Sequence, residues 1–276
     1  MPEITKSYLK WAGGKSRIAQ RILDSVPLDR FRLIEPFAGS AAFALNAAPR
    51  ATGFLLADVN PDLVALHRRV LADPERLIAD LAELFRPENN AKGRYIALRD
   101  AFNAETDADR RAALFLYLNK HGFNGLCRYN GSGRFNVPFG DMKSPRVPEA
   151  EIREASRLLA GADVRVSDFR AIAAEAGAGD LLYCDPPYAP LSDTAFFANY
   201  ATGGFSERDQ RDLAEACLAA RDRGALVIIS NHDTPFTREI YAAASEIVAL
   251  DVRRSVSAGA GGRGAAKEII AVFRPV

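Results

Sequence analysis

Leu181-Leu182-Tyr183-Cys184-Asp185-Pro186-Pro187-Tyr188 is an unbroken apolar run that ends on a carboxylate and two prolines. Four consecutive apolar residues read as a strand buried on both faces. Consecutive prolines cannot donate to a sheet ladder, so the strand must stop at Asp185 with a rigid, extended exit. That rigidity holds the Asp185 carboxylate and the Pro186 carbonyl close together as two acceptors, and Tyr188 supplies a flat ring. Two acceptors aimed at one point suit a planar exocyclic amino group, which has two N–H donors. The lone pair of an adenine or cytosine amino group is delocalised into its ring and is a poor nucleophile. Hydrogen bonds to both protons draw the nitrogen toward a tetrahedral geometry and aim the lone pair at a methyl donor, which is positioning and electrostatics rather than proton abstraction. Taken alone, the tetrapeptide is equally well explained as a plain strand-ending turn.

Outward from this run, short β-type segments alternate with helical ones. Strands are predicted at Arg32–Glu35, Gly53–Asp58, Val164–Ser167, Leu181–Asp185, Leu226–Ser230, Ile247–Val252 and Ile269–Phe273. Helices are predicted around Ser16–Ser25, Ala41–Ala48, Glu207–Arg223 and Pro235–Ala244. The alternation predicts an α/β fold, a mainly parallel sheet covered on both faces. Several strands end on an acidic residue (Glu35, Asp58, Asp185), and ligands of open α/β sheets sit at the carboxyl ends of strands.

The middle breaks the rhythm. From Pro61 to Lys120 the pattern is helical, with Leu63, Leu66, Val70, Leu77, Leu81 and Leu84 recurring at helical spacing. A glycine- and asparagine-rich stretch follows from His121 to Gly140, and its Asn130-Gly131 and Ser132-Gly133 pairs read as a hairpin turn. The expected organisation is a first catalytic-domain segment over 1–60, an inserted helical domain over 61–147 with a hairpin at about 122–143, and a second catalytic-domain segment over 148–276.

Composition sets outer limits. The 276 residues are 48% hydrophobic and 26% charged, a globular balance. Lys+Arg 36 against Asp+Glu 35 leaves +1, so net charge alone makes no case for a nucleic-acid partner. The local balance does. Between Arg110 and Arg146, Arg110, Arg111, Lys120, Arg128, Arg134, Lys143 and Arg146 face only Asp141. Phe123, Tyr129, Phe135 and Phe139 are interleaved, and guanidinium groups with stacking rings suit a nucleic acid, a solvated basic loop being the plainer alternative. Cys127, Cys184 and Cys217 are odd in number and form no CxxC pair, which argues against a disulfide framework and a structural zinc. No apolar run approaches the roughly 20 residues of a membrane helix, and the MPEITKSYLKW start has no apolar core of a signal peptide. A soluble, cytoplasmic protein is expected.

Three further stretches carry chemistry. Glu35-Pro36-Phe37-Ala38-Gly39-Ser40-Ala41 follows a strand and opens a helix, a small-residue turn that lets a nucleotide-like ligand approach backbone without being the GxGxxG fingerprint. Asp58 ends the next strand, where a carboxylate can accept both hydroxyls of a ribose or simply cap the helix after Asn60-Pro61. Trp11-Ala12-Gly13-Gly14-Lys15-Ser16 imitates a phosphate loop but has Leu9 where the pattern needs glycine, so Lys15 is read as meeting a carboxylate or an amino-acid moiety. His67, His121 and His232 lack metal-ligand spacing and read as structural or surface residues; no metal is expected. Cys184 reads as buried rather than nucleophilic, and no cysteine follows a proline as a cytosine-C5 methyltransferase requires.

Together these stretches resemble the Dam family of DNA adenine-N6 methyltransferases. The likeness runs through YLKWAGGK (Tyr8–Lys15), IEPFAGSA (Ile34–Ala41), LADVNPDL (Leu56–Leu63), LFLYLNKHGFNGLCRYN (Leu114–Asn130), FNVPFG (Phe135–Gly140), YCDPPYAPLS (Tyr183–Ser192), ISNHDT (Ile229–Thr234) and RRSVS (Arg253–Ser257), nearly the whole chain.

The resemblance implies a Rossmann-like, S-adenosylmethionine-dependent methyltransferase sheet with an inserted DNA-recognition domain, and duplex GATC as target. It implies Trp11, Lys15, Asp58 and Asp185 as methyl-donor residues, with Glu35, Phe37, Gly39 and Phe169 lining the pocket. Lys10, Asn124, Leu126, Arg128 and Pro138 match residues that read the target, and Phe123 an aromatic beside the vacated base position. Asn130 and Asn136 match phosphate contacts, and Lys120 joins the DNA-binding set. Asp185, Pro186 and Tyr188 are the implied catalytic set, reached by a flipped adenine. A working monomer with no obligate protein partner is expected. Four departures stand out: Ala41 replaces a second glycine, Phe123 replaces a tyrosine, Asp141 enters a more basic neighbourhood, and the loop Ser257–Ala266 is poor in lysine. The last two bear on processivity and salt dependence. An N4-cytosine or RNA adenine methyltransferase, or a catalytically silent DNA-binding relative, are the alternatives.

Overall fold

The computed structural model describes residues 4–16, 18–189, 204–252 and 266–275. Seven strands, β1 (Phe31–Glu35), β2 (Ala51–Asp58), β3 (Asp163–Val166), β4 (Asp180–Cys184), β5 (Leu226–His232), β6 (Glu246–Val252) and β7 (Ala266–Phe273), form a sheet in the order β3-β2-β1-β4-β5-β7-β6. The helices among the described residues are α1 (Ala19–Asp24), α2 (Ala42–Ala47), α3 (Pro61–Ala72), α4 (Pro74–Leu84), α5 (Lys92–Ala104), α6 (Ala108–His121), α7 (Glu149–Leu158), α8 (Phe169–Ala173), α9 (Glu207–Asp222) and α10 (Pro235–Ile240). The fold is the expected Rossmann-like α/β sheet. The chain divides into two compact units, one of residues 1–25 and 38–166, the other of residues 26–37 and 167–276.

In the first unit β2 and β3 pair in parallel, with Asp58 opposite Val166. The helical stretch expected over Pro61–Lys120 is broken into α3 to α6 by its capping residues. Asn60 accepts from the Asp62 and Leu63 amides and Asp73 from the Arg76 amide, each with a proline in the first turn behind it. Asp107 caps α6 through the Arg110 amide. Every residue of α6 from Ala112 to Asn119 is buried, which marks a core helix, and α3, α4 and α5 pack on it. The predicted hairpin is a looser structure. Gly122–Phe139 and Tyr129–Phe135 are isolated antiparallel bridges, closed by a turn in which the Gly133 amide donates to the Asn130 carbonyl.

In the second unit β1–β4 and β4–β5 are parallel, whereas β5–β7 and β7–β6 are antiparallel. The sheet is therefore more mixed than expected, since antiparallel neighbours need no crossover helix. All five residues of β4 are buried, as its apolar run requires, and the strand ends at Cys184, leaving Asp185 just beyond it. Arg32 holds Asp180 through two hydrogen bonds of 2.9 and 2.7 Å, tying β1 to β4 at their amino-terminal ends. α9 opens with a capping box between Ser206 and Asp209 and packs on β5 and α8.

Element ends shift by a few residues from the sequence reading, as polar flanks extend a ladder that apolar patterning cannot see: β7 begins at Ala266 and β5 runs to His232. α1, whose predicted span includes residue 17 outside the described set, is shorter than Ser16–Ser25, and α10 stops at Ile240. α7 and α8 were not foreseen; each buries only two or three side chains. Of the sequence expectations, residues 190–192 of the YCDPPYAPLS stretch, RRSVS from 253 on and the lysine-poor loop from 257 to 265 lie outside the described residues. No helix among the described residues is long and apolar enough to cross a membrane, and no group of three or more His, Cys, Asp or Glu side chains is placed to hold a metal.

Candidate functional site

In the first unit, the turn after β1 and the end of β2 meet at Gly39. The Gly39 amide donates to Asp58 Oδ2 at 3.1 Å, and the Asn60 amide to Asp58 Oδ1 at 3.0 Å. Burial pushes the Asp58 carboxyl up, and the backbone amides of Asn60, Gly39 and Val59 oppose that rise. Asp58 is thus not the α3 cap; Asn60 is. On its other side the Gly39 carbonyl accepts from His67 Nε2 at 2.8 Å. A carbonyl only accepts, so Nε2 carries the proton and Nδ1 takes the hydrogen bond of the buried Tyr8 hydroxyl. Burial holds His67 neutral, its pKa pushed down to about 4. Gly39 has φ +48°, and a Cβ there would lie 2.8 Å from Trp11 Nε1, so the indole rests directly on the backbone of this turn. Lys15 is buried beside it, its Nζ 2.7 Å from the Gly13 carbonyl. The structure therefore brings Trp11, Gly39 and Asp58 together, around a polar Tyr8–His67 support whose histidine patterning alone read as structural or surface.

In the second unit, Asp185, Pro186, Pro187, Tyr188 and Ala189 follow β4 without a ladder. Side chains take its place. Gln210 Nε2 donates to the Pro187 carbonyl at 2.8 Å, and the Ala189 amide donates to Asn231 Oδ1 at 2.9 Å. His232 Nδ1 donates to the Ala189 carbonyl at 2.7 Å, and Asn231 Nδ2 joins Gln210 Oε1 and the Tyr241 hydroxyl, each at 3.0 Å. Gln210, Asn231 and Tyr241 are all fully buried. The Tyr188 hydroxyl donates to Glu268 Oε2 at 3.0 Å, and its ring meets His232 edge-on at 4.8 Å. Burial, then the Asp185 charge, raises the Tyr188 phenol far above its usual range, so it stays protonated. Glu35 is buried at the end of β1. Phe37 stacks on Phe169 at 5.5 Å and meets Phe205 edge-on at 5.7 Å; Arg170 lies over Phe169 at 4.3 Å and pairs with Asp209 and Asp212. Cys184 Sγ lies 3.8 Å from Cys217 Sγ, both buried, and burial pushes the Cys184 thiol well up, so it is no nucleophile.

The basic loop, in the first unit, is also held by side chains. Tyr95, Arg99 and Asn103 lie at i, i+4 and i+8 on α5, a single helical face. The Tyr95 hydroxyl and Arg99 Nη1 donate to the Val137 carbonyl at 3.0 and 3.3 Å. Asn103 exchanges both of its hydrogen bonds with the Phe135 backbone, at 3.0 and 2.7 Å. Tyr129 donates to Asp62 Oδ2 at 2.5 Å, and Arg111 grips the same carboxylate in a bidentate pair. Upon this frame Phe123, Asn124, Arg128, Asn130 and Pro138 are exposed, and Leu126 and Asn136 half-exposed. Arg128 is pre-oriented, its Nε 2.8 Å from Asn136 Oδ1. Asn130 Oδ1 accepts from the Ser132 and Arg134 amides and so builds the turn itself. Lys10 donates from Nζ to the Lys120 carbonyl at 3.3 Å. Burial lowers the Lys10 ammonium; burial, then the Lys10 charge, lowers Lys120 to about 8.

Sequence reading missed Gln210, Asn231 and Glu268 around the Asp185 turn, Phe205 beside Phe37, and the α5 face. Only the last had a signal, its four-residue spacing of polar groups. The Ala41 departure has a backbone cost, since this buried residue sits at φ +53°.

The family model described as D12 class N6 adenine-specific DNA methyltransferase matches residues 11–256. A DNA adenine methylase of Vibrio cholerae serotype O1 is 41% identical over 271 residues, covering 98% of this chain and 96% of that protein. A DNA adenine methylase of Escherichia coli K12 is 41% identical over 270 residues with the same coverage. Among solved structures, a SAM-dependent methyltransferase from Neisseria gonorrhoeae shares 10% identity at a TM-score of 0.39, over 95% of this chain and 68% of that one. The match over most of the chain and the 41% identity over nearly its whole length place this protein in the family: it belongs to the D12 class of N6 adenine-specific DNA methyltransferases.

Proposed function

We propose that this DNA adenine methyltransferase takes its methyl group from S-adenosylmethionine and places it on N6 of the adenine in duplex GATC, after the base leaves the stack. The observation that carries the reading is the Asp185–Ala189 turn, whose Pro187 and Ala189 carbonyls and Ala189 amide are fixed by Gln210, His232 and Asn231 rather than by a ladder. Rigidity of this kind is what hydrogen bonds that strengthen only in the transition state require. Asp185 and the Pro186 carbonyl receive the two N–H groups of the adenine N6, drawing the nitrogen pyramidal, and Tyr188 packs on the ring. Target extrusion is required because N6 of a paired adenine cannot reach a carboxylate at a strand end.

The donor residues fit the group. Gly39 lets the Trp11 indole lie on the turn where a Cβ would strike it, and Asp58 is held with its carboxylate oriented by two amides. When bound, S-adenosylmethionine supplies an electrophilic methyl on a sulfonium. Trp11, Lys15, Glu35, Phe37, Gly39, Asp58, Phe169 and Asp185 are the residues proposed to contact it. Residues 61–147 are proposed as the recognition segment, with Lys10, Lys120, Phe123, Asn124, Leu126, Arg128, Asn130, Asn136 and Pro138 on DNA. A monomer is proposed to suffice, in the cytoplasm of a bacterium or as a phage product.

Methyl transfer from labelled S-adenosylmethionine to one duplex containing GATC and one with that site scrambled tests the reading. Label on adenine N6 of the GATC duplex alone is expected. Label on both removes the target sequence from the proposal, and label on neither removes the donor or the activity.

A further inference from the structure

Asn119 lies in the last turn of α6 and is 2% exposed, the one amide side chain in a buried run that begins at Ala112. Asparagine is a poor helix former, and a buried amide is costly unless its hydrogen bonds are made. Here they are made to two places far apart in sequence. The Lys10 amide donates to Oδ1 at 2.9 Å and Nδ2 donates back to the Lys10 carbonyl at 2.7 Å, so the side chain pairs with Lys10 as a neighbouring strand would. Nδ2 also donates to the Gly125 carbonyl at 3.1 Å. The same junction is tight from a second direction. Gly125 has φ +65°, and a Cβ there would lie 2.4 Å from Lys10 Cβ, so the loop backbone is pressed onto the Lys10 segment. Asn124, beside it, is held at φ +53°.

We propose that Asn119 is a positioning residue for target choice, fixing the Lys10 segment and the Phe123–Leu126 turn in one register so that residues from both read a single stretch of DNA. The inference rests on the proposed target-reading roles of Lys10, Asn124 and Leu126, and deepens it. Neither segment belongs to a ladder that could set this register. Lys10 meets the loop only through Asn119, the Lys120 carbonyl and the Gly125 contact among the interactions given above, and base readout depends on side chains held within a fraction of an ångström.

The test measures kcat/KM of the full-length protein on a duplex carrying the wild type's preferred site and on each single-base variant of that site. Asn119→Asp keeps the acceptor for the Lys10 amide but turns an oxygen toward two carbonyls; Asn119→Ser shortens the reach; Gly125→Ala pushes on the junction from the other side. In all three the preferred-to-variant ratio is expected to fall about tenfold, the scale of one lost base contact, with KM for S-adenosylmethionine unmoved. An unfolded fraction lowers every rate alike and cancels from the ratio, so a ratio equal to wild type overturns the inference even if the variant is less stable. If both Asn119 variants fail to fold, Gly125→Ala decides by the same ratio. The wild type separates the two claims: a preferred site other than GATC overturns the proposed target and leaves Asn119 under test on that site, and a wild type without sequence preference overturns both.

Discussion

The Asp185–Ala189 turn and the Gly122–Gly140 loop are both backbone that no ladder holds, and each is braced differently. Two prolines strip the turn of donors, and its Pro187 carbonyl and Ala189 amide are fastened by buried side chains, Gln210 and Asn231, brought from α9 and β5. The loop is long, and its fastenings are spread along it. One face of α5 binds Phe135 and Val137, Asp62 binds Tyr129, and Asn119 binds Gly125. A short segment braced at its far end suits chemistry, where one geometry must be met; a longer one with an exposed outer surface suits reading an extended partner. The difference teaches that the two segments are held by separate sets of side chains, so under the proposed roles catalysis and recognition should fail separately.

The largest expected break is at the turn. Asp185→Ala removes one of the two acceptors proposed for the amino group, and turnover in a single-turnover methyl-transfer assay is expected to fall ~100–1,000-fold. Support of the loop comes next. Asn103→Ala leaves the Phe135 amide and carbonyl without their partners, and a loss of about 1–3 kcal/mol in urea unfolding is expected. Sequence choice then falls with Arg128→Ala, where a lost base contact is worth about 1–3 kcal/mol of discrimination; equal weakening on every duplex would make Arg128 a phosphate contact instead.

A sharper comparison uses pH. Lys120, lowered to about 8 by burial and by Lys10, gains a partner when a phosphate arrives, which raises its pKa in the complex. The complex then holds more protons than the free protein between the two values, so DNA affinity is expected to fall as pH rises above about 8. Titration of DNA binding in Lys120→Gln should lose that slope, with turnover at saturating DNA following the turn rather than the lysine. The smallest effect is at the donor-side turn. Ala41→Gly relieves a φ of +53°, and a gain of roughly 1 kcal/mol in unfolding free energy is expected.

How much of this could be read in advance follows from how local each feature is. The Asp185 turn was legible because an apolar run and two prolines state their geometry within eight residues. The strand ends at Glu35 and Asp58 followed from the same patterning, which missed the third by one residue, since that strand stops at Cys184. The Gln210 and Asn231 supports were not legible, since each acts on backbone more than twenty residues away and neither residue type announces a partner. His67 illustrates the limit: its lack of metal spacing left it as structural or surface, and only folding shows that it is buried and grips the Gly39 carbonyl under Trp11. The antiparallel placement of β6 and β7 escaped because an apolar run carries no direction. The residues from Phe123 to Pro138 proposed to face DNA came from resemblance, as a basic loop with aromatic residues does not by itself say which atoms face a base.

The separation of chemistry from reading is tested most directly by equilibrium binding of the Asp185→Ala variant to duplexes with and without GATC, in the presence of S-adenosylmethionine. The account predicts a variant that transfers almost no methyl yet prefers the GATC duplex by the same ratio as wild type. A variant that folds and binds both duplexes alike would contradict it, because target choice would then depend on the Asp185 turn itself.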